Sequence, residues 1–154
     1  MTTLISPRTG TGIPRPDLRR AGRIAISVLA VLGIGALAGG IALAAKPDGS
    51  VMQFPLRLLE GSPFSDYFVP GIILGGVFGL GSFATVALGI LRRPVAPFLA
   101  FAIGCGQMIW ISVELAIIRE LSFLHPLCFG MGLVIAAASV SWGWPAFQGW
   151  RATR

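Results

Sequence analysis

The sequence predicts an all-α fold: a four-helix transmembrane bundle with a disordered cytoplasmic N-terminal tail. Three observations carry that reading. Hydrophobic residues make up 55% of the 154-residue chain and charged residues only 12%, about half the charged share of an average soluble domain. Mean hydropathy is +0.81. The charges fall between four apolar stretches, each near the ~20 residues that a helix needs to cross a bilayer. A chain this poor in charge cannot clothe a soluble globule.

Residues 1–23 form a basic tail that carries Pro7, Gly10, Gly12, Pro14 and Pro16. It offers little apolar surface to bury, which predicts disorder. Ile24–Ala45 carries no charge and is the first span. Its arginine-rich approach and the Ala42-Leu43-Ala44 triplet resemble a cleavable signal sequence. The apolar run exceeds the usual 7–15 residues of such a segment, so a retained span is expected. Lys46–Asp66 is a polar loop with an embedded apolar patch, Phe54–Leu59. Phe68–Leu91 is the second span, with Pro70 in its first turn, where a missing N–H costs least. Ser65 or Asp66 can cap it. Arg92-Arg93-Pro94 is a turn, Val95–Ile118 the third span, and Arg119-Glu120 a short connection. Leu124–Trp142 is the fourth span, so the transmembrane domain covers 24–142 and a polar end covers 143–154.

Orientation follows from the cations. Nine of the twelve Lys and Arg residues lie on the side shared by the two termini and the second loop. Lys46, Arg57 and Arg119 lie on the other side. Basic excess marks the cytoplasmic face, which places both termini in the cytoplasm and the protein in the plasma membrane. Trp142, Trp144 and Trp150 then mark the inner interface, and Phe64, Tyr67 and Phe68 the outer one. The net charge of +6 is accounted for by this topology, and no nucleic-acid-binding motif accompanies it.

Helix packing is written most clearly in Gly71, Gly75 and Gly79. Spacing by four puts them on one face, where another backbone can approach closely. Gly35/Gly39 and Gly132/Ala136 repeat the pattern. Such faces serve either an oligomer or packing within one bundle.

The candidate polar intramembrane site is Glu114 with Gln107 and His125. Glu114 is the one formal charge inside an apolar stretch. A carboxylate at a helix centre costs about 2.5–3.5 kcal/mol on insertion scales, so such residues carry a functional expectation. Gln107, Trp110 and Glu114 fall near one helix face. His125 begins the next span, and the short connection makes the two spans antiparallel neighbours, so Glu114 and His125 can meet. Such a pair can relay protons, whereas an interhelical hydrogen bond or a carboxylate reaching for headgroups is the plainer alternative. No HExxH, GxSxG, P-loop or CxxC motif occurs, and no cofactor or metal is expected.

Four runs carry a resemblance. Gly61-Ser62-Pro63-Phe64-Ser65-Asp66-Tyr67 is followed by Val69-Pro70-Gly71-Ile72-Ile73-Leu74. Trp110-Ile111-Ser112-Val113-Glu114 and Leu124-His125-Pro126-Leu127 follow later. Over residues 25–140 the chain resembles a family of small uncharacterised four-span membrane proteins of bacteria, frequent in actinobacteria. The resemblance implies the four-span fold and no activity. His125 stands where that pattern often has Gln, which speaks against histidine-dependent chemistry. The expected function is therefore non-enzymatic: a packing or accessory partner in a membrane assembly, with the lipid bilayer, a second copy or another membrane protein as its partner. The alternatives are an oligomeric transporter or channel component using Glu114, and a membrane enzyme acting on lipid or quinone.

Overall fold

The computed structural model describes residues 20–118 and 122–152. Four helices carry the chain: α1 (Arg20–Ala45), α2 (Phe68–Ile90), α3 (Ala96–Ile118) and α4 (Leu124–Ala152). Each holds a stretch long and apolar enough to cross a membrane, and no strand occurs among the described residues. The chain is an all-helical four-span bundle. One end carries the 46–67 loop and the α3–α4 connection, and is called the loop end below. The other carries the start of α1, the α2–α3 turn and the exit of α4, and is called the terminal end.

Two helix limits differ from the hydropathy reading. α1 starts at Arg20, four residues before the uncharged run. α4 does not stop at Trp142 but continues through the polar end to Ala152. Hydropathy marks where lipid contact ends, whereas backbone hydrogen bonding carries a helix on into water. The expected disordered tail, apart from Arg20–Arg23, lies outside the described residues.

In lipid, helices cannot be driven together by the hydrophobic effect, so close contact must hold them. The Gly71, Gly75 and Gly79 stripe meets that need inside the chain. A Cβ added at Gly40 of α1 would collide with the Gly75 backbone. One added at Gly71 would lie 2.8 Å from the Ala44 nitrogen, and one at Gly79 3.0 Å from the Leu37 Cα. Of the Gly35/Gly39 pair, Gly39 only touches Leu74, and Gly35 has nothing within 4 Å. Gly40, the neighbour of that pair, is the glycine that α2 requires. α2 is wound as a π-helix over Leu74–Leu80, where the Gly81 N–H bonds the Gly76 carbonyl.

The α3–α4 hairpin repeats the device. A Cβ at Gly104 would lie 2.7 Å from the Gly132 oxygen and 2.8 Å from the Ala136 nitrogen. The two hairpins then close into a ring: α1 packs on α2 and α4, α3 on α4 and α2, and α2 and α4 stand diagonally. Phe78 of α2 meets Trp110 of α3 edge to face, with ring centroids 5.9 Å apart.

The terminal half of the interior is filled by Ala25, Leu29, Leu32, Ala96, Ala100, Ile135 and Trp142. Trp142 is 2% exposed, which corrects its reading as an interfacial anchor. A Cβ at Gly22 would sit 3.0 Å from its Nε1, and one at Gly89 2.9 Å from its ring. The indole therefore spans α1 and α2 from α4, and its size is what seals this end. Trp144, 59% exposed, has the exposure an anchor needs. The side chain of Trp150 lies outside the described residues. Thr85 and Ser139 stay buried by donating to the carbonyls of Gly81 and Ile135, at 2.8 and 2.6 Å.

The glycine contacts give a sharp expectation. Gly40→Ala must push α1 from α2, a strain of about 1–3 kcal/mol. Gly35→Ala meets open space and removes glycine's backbone entropy, so it should be neutral or stabilising by up to about 1 kcal/mol. Thermal unfolding in detergent compares them. Equal midpoints for the two variants would show that Gly40 is not at a close crossing.

Candidate functional site

The loop end is an ordered cap. Gly49, at φ 76°, turns the chain so that its N–H reaches the Lys46 carbonyl and its own carbonyl takes the Phe54 N–H, both at 3.0 Å. A Cβ there would overlap the Phe54 carbonyl. The Asp48 carboxylate accepts the N–H and O–H of Ser50 at 3.1 and 2.8 Å, and those bonds hold it below the usual carboxylate range. Tyr67 ties the loop down. Its N–H donates to the Pro47 carbonyl at 2.9 Å and its hydroxyl to the Pro55 carbonyl at 3.1 Å. Its ring packs on Phe54 at 6.1 Å. Tyr67 is 4% exposed, so it is a buried clamp rather than an interfacial anchor. Asp66, of the two candidate caps, accepts the Phe68 N–H at 2.9 Å. The single turn Leu56–Leu59 packs against α3.

Beneath this cap, α3 presents Gln107 and Glu114 to the bundle axis. Gly104 and Met108 face α4, because Gly132 lies against both. Gly106 and Trp110 face α2, because Phe78 lies against both. Gln107 and Glu114 fall between those flanks, about 20° apart around the helix. Gln107 is 2% exposed, and its Oε1 has no hydrogen-bond partner among the described residues. Glu114 is half-buried. Among the described residues no hydrogen bond or ion pair engages its carboxylate.

The Gly104–Ala136 and Met108–Gly132 contacts fix the antiparallel register of α3 on α4. Continued toward the loop end, that register brings Glu114 level with His125. The carboxylate lies within electrostatic reach of His125 and Cys128 on α4 and of Tyr67 under the loop. The structure thus brings Glu114 and His125 to one level but joins them by no hydrogen bond. The His125 Nδ1 accepts the Ser122 N–H at 3.1 Å, and the His125 backbone N–H donates to the Ser122 carbonyl at 3.2 Å. Its first role is to cap α4. In the neutral ring Nε2 then carries the proton. Gln107 sits about 10 Å deeper than Glu114, at ~1.5 Å per residue. No group of three or more His, Cys, Asp or Glu residues among the described ones could hold a metal ion.

Tyr67 and Cys128 are the members of this cluster that spacing alone did not select. The signal for Tyr67 was its singularity, since it is the only tyrosine in the chain. That singularity also makes it a reporter. Burial first, and then the negative charge of Glu114, push the Tyr67 phenol above the ordinary tyrosine value. Glu114→Gln should move the ultraviolet tyrosinate titration to lower pH while leaving it above that value, because burial remains. The folded state favours the neutral phenol. Stability from this group is therefore complete below the unfolded value of about 10 and is lost as pH rises through the folded one. An unchanged titration in the variant would place Glu114 away from Tyr67.

Compared with known proteins, the chain matches no family model, no curated protein and no solved structure.

Proposed function

We propose that this is a non-enzymatic accessory subunit of a membrane assembly, a small rigid bundle whose surface receives another membrane helix. In this reading it resides in a bacterial plasma membrane with both termini in the cytoplasm, as the nine-to-three bias of its basic residues favours.

The observation that carries the proposal is a division among the glycines. Gly40, Gly71, Gly79, Gly104 and Gly132 are filled from within the chain. Gly35 and Gly76 are exposed, and Gly130 is half-buried, yet an added Cβ at any of them would meet nothing within 4 Å. Glycine inside a helix costs roughly 0.5–1 kcal/mol relative to alanine. A contact with a neighbouring helix of the same chain offsets that cost at the first set. At the second, an external helix approaching through a notch would offset it.

A second reading, transport through an oligomer, draws on the axial placement of Gln107 and Glu114. The filled terminal half, with Trp142 across it, weighs against a path through a single bundle.

Affinity purification from native membranes in mild detergent, with mass spectrometry of what co-purifies, tests the main reading. Gly35→Leu and Gly76→Leu should keep the unfolding midpoint and deplete a specific companion, a second copy included. Companions retained equally by the wild type and both variants would contradict it.

A further inference from the structure

At the terminal end, the cations of α1 and α2 come to one level. The two helices keep a single antiparallel register along their length: Gly71 lies against Ala44, Gly75 against Gly40, Gly79 against Leu37 and Gly89 against Ile26. Three residues further out on each helix, that register sets Arg92 near the level of Arg23. Arg93 follows Arg92, and Arg20 stands about 4.5 Å beyond Arg23 along α1, at ~1.5 Å per residue. All four arginines are exposed. The sequence supplies little to neutralise them. Nine basic residues fall in 1–23, 92–93 and 143–154, against one acid, Asp17. Like charges held this close repel one another, which favours an anion from outside the chain.

Arg92 adds an observation that membrane orientation does not explain. α2 ends in a Schellman turn: the Arg93 N–H donates to the Leu88 carbonyl at 2.9 Å, and the Arg92 N–H to the Gly89 carbonyl at 3.0 Å. The residue that leaves the helix in such a turn is usually glycine, because its backbone is left-handed. Arg92 holds that position at φ 52°, where a Cβ crowds the following carbonyl oxygen. The dipole of α2 favours a cation at this end. Arg93, which is not in the left-handed region, already supplies one. Apolar side chains border the cluster on its membrane side. Ile24 is 49% exposed, Ile90 62% and Leu91 65%.

From the level arginines, the strained one among them and the apolar border, we propose that the α1–α2 end binds an anionic phospholipid bearing two phosphates. The phosphates sit among Arg20, Arg23, Arg92 and Arg93, and the acyl chains run along Ile24, Ile90 and Leu91. A guanidinium grips phosphate through paired, charge-assisted N–H bonds. The long arginine stems let the charged heads reach headgroup level. Two phosphates match a cluster shared between two helix ends better than one. A free phosphate would leave the apolar border unused, so the ligand is a lipid. This site does not rest on the notches at Gly35 and Gly76, so either proposal can fail without the other.

Native mass spectrometry of the full chain, delipidated in mild detergent, tests this by reading lipid adducts directly. The probes are cardiolipin, phosphatidylglycerol and phosphatidylcholine with matched acyl chains. Cardiolipin should bind one per chain and most tightly, and phosphatidylcholine least. Arg23→Gln and Arg92→Gln should each weaken cardiolipin by about fivefold, the size expected for one basic residue at a membrane surface. Arg57→Gln, at the loop end, should leave it unchanged. Arg92→Gly separates binding from folding. It relieves the left-handed strain, so it should unfold no earlier than the wild type in lipid-free detergent, yet lose as much cardiolipin affinity as Arg92→Gln. Misfolding would move both readouts together. Water-soluble glycerol bisphosphate, which has the phosphates without the chains, should not displace cardiolipin. The proposal is overturned if cardiolipin binds no better than phosphatidylcholine, if Arg23→Gln and Arg92→Gln bind it no worse than Arg57→Gln does, or if glycerol bisphosphate displaces it.

Discussion

The crossing of α1 and α2 at Gly40 and Gly75 is the contact on which the remaining architecture depends. Lipid tails are as apolar as leucine, so a helix gains little from exchanging one for the other. What remains is dispersion between surfaces that fit closely, and that force falls away over a fraction of an ångström. At Gly40 the two backbones are so near that even a methyl group has no room. The same arrangement at Gly104 and Gly132 joins α3 to α4. Two tight hairpins result, and the larger side chains then only have to fill the seam between them. Phe78 and Trp110 do so across α2 and α3, and Trp142 does so at the terminal end.

This division of labour explains why the interior has two characters. The terminal half is closed by Leu29 and Leu32 of α1 and Ile135 and Trp142 of α4, together with Ala96 and Ala100 of α3. The loop half is covered by a cap held through Tyr67, and beneath the cap lie polar groups that the chain does not pair. Stability therefore rests chiefly on the crossings and the filled half. Buried polar atoms without a partner occur at several levels among the described residues: the Gln107 Oε1 near the middle of α3, the Ser82 Oγ on α2 and the Trp142 Nε1 in the filled half.

Much of this was legible in the sequence, and the failures have physical causes. The number of spans follows from hydropathy, because the cost of a charge in hydrocarbon leaves few ways to write a span. The glycine face of α2 follows from its spacing. Its counterpart did not: Gly39 and Gly40 are adjacent, and only the rotation of α1 against α2 decides which of them faces inward. Tyr67 and Trp142 were read as interfacial because aromatic residues near span ends usually are. Composition cannot distinguish a ring that points at headgroups from one that points at the bundle axis. For the candidate site, the alignment of Gln107 with Glu114 was visible as a heptad spacing. That Gln107 is buried with an unmet acceptor depends on the packing of α3 on its neighbours, Gly132 of α4 among them, which its own spacing does not reveal.

The most direct measurement of the central claim is proton-detected solid-state NMR on the labelled chain in lipid bilayers, read for through-space contacts between glycine α-positions. The α1–α2 crossing predicts a strong Gly40–Gly75 cross-peak and no contact from Gly35 to any residue of α2. A spectrum with Gly35 in contact with α2, and Gly40 without a partner there, would contradict it.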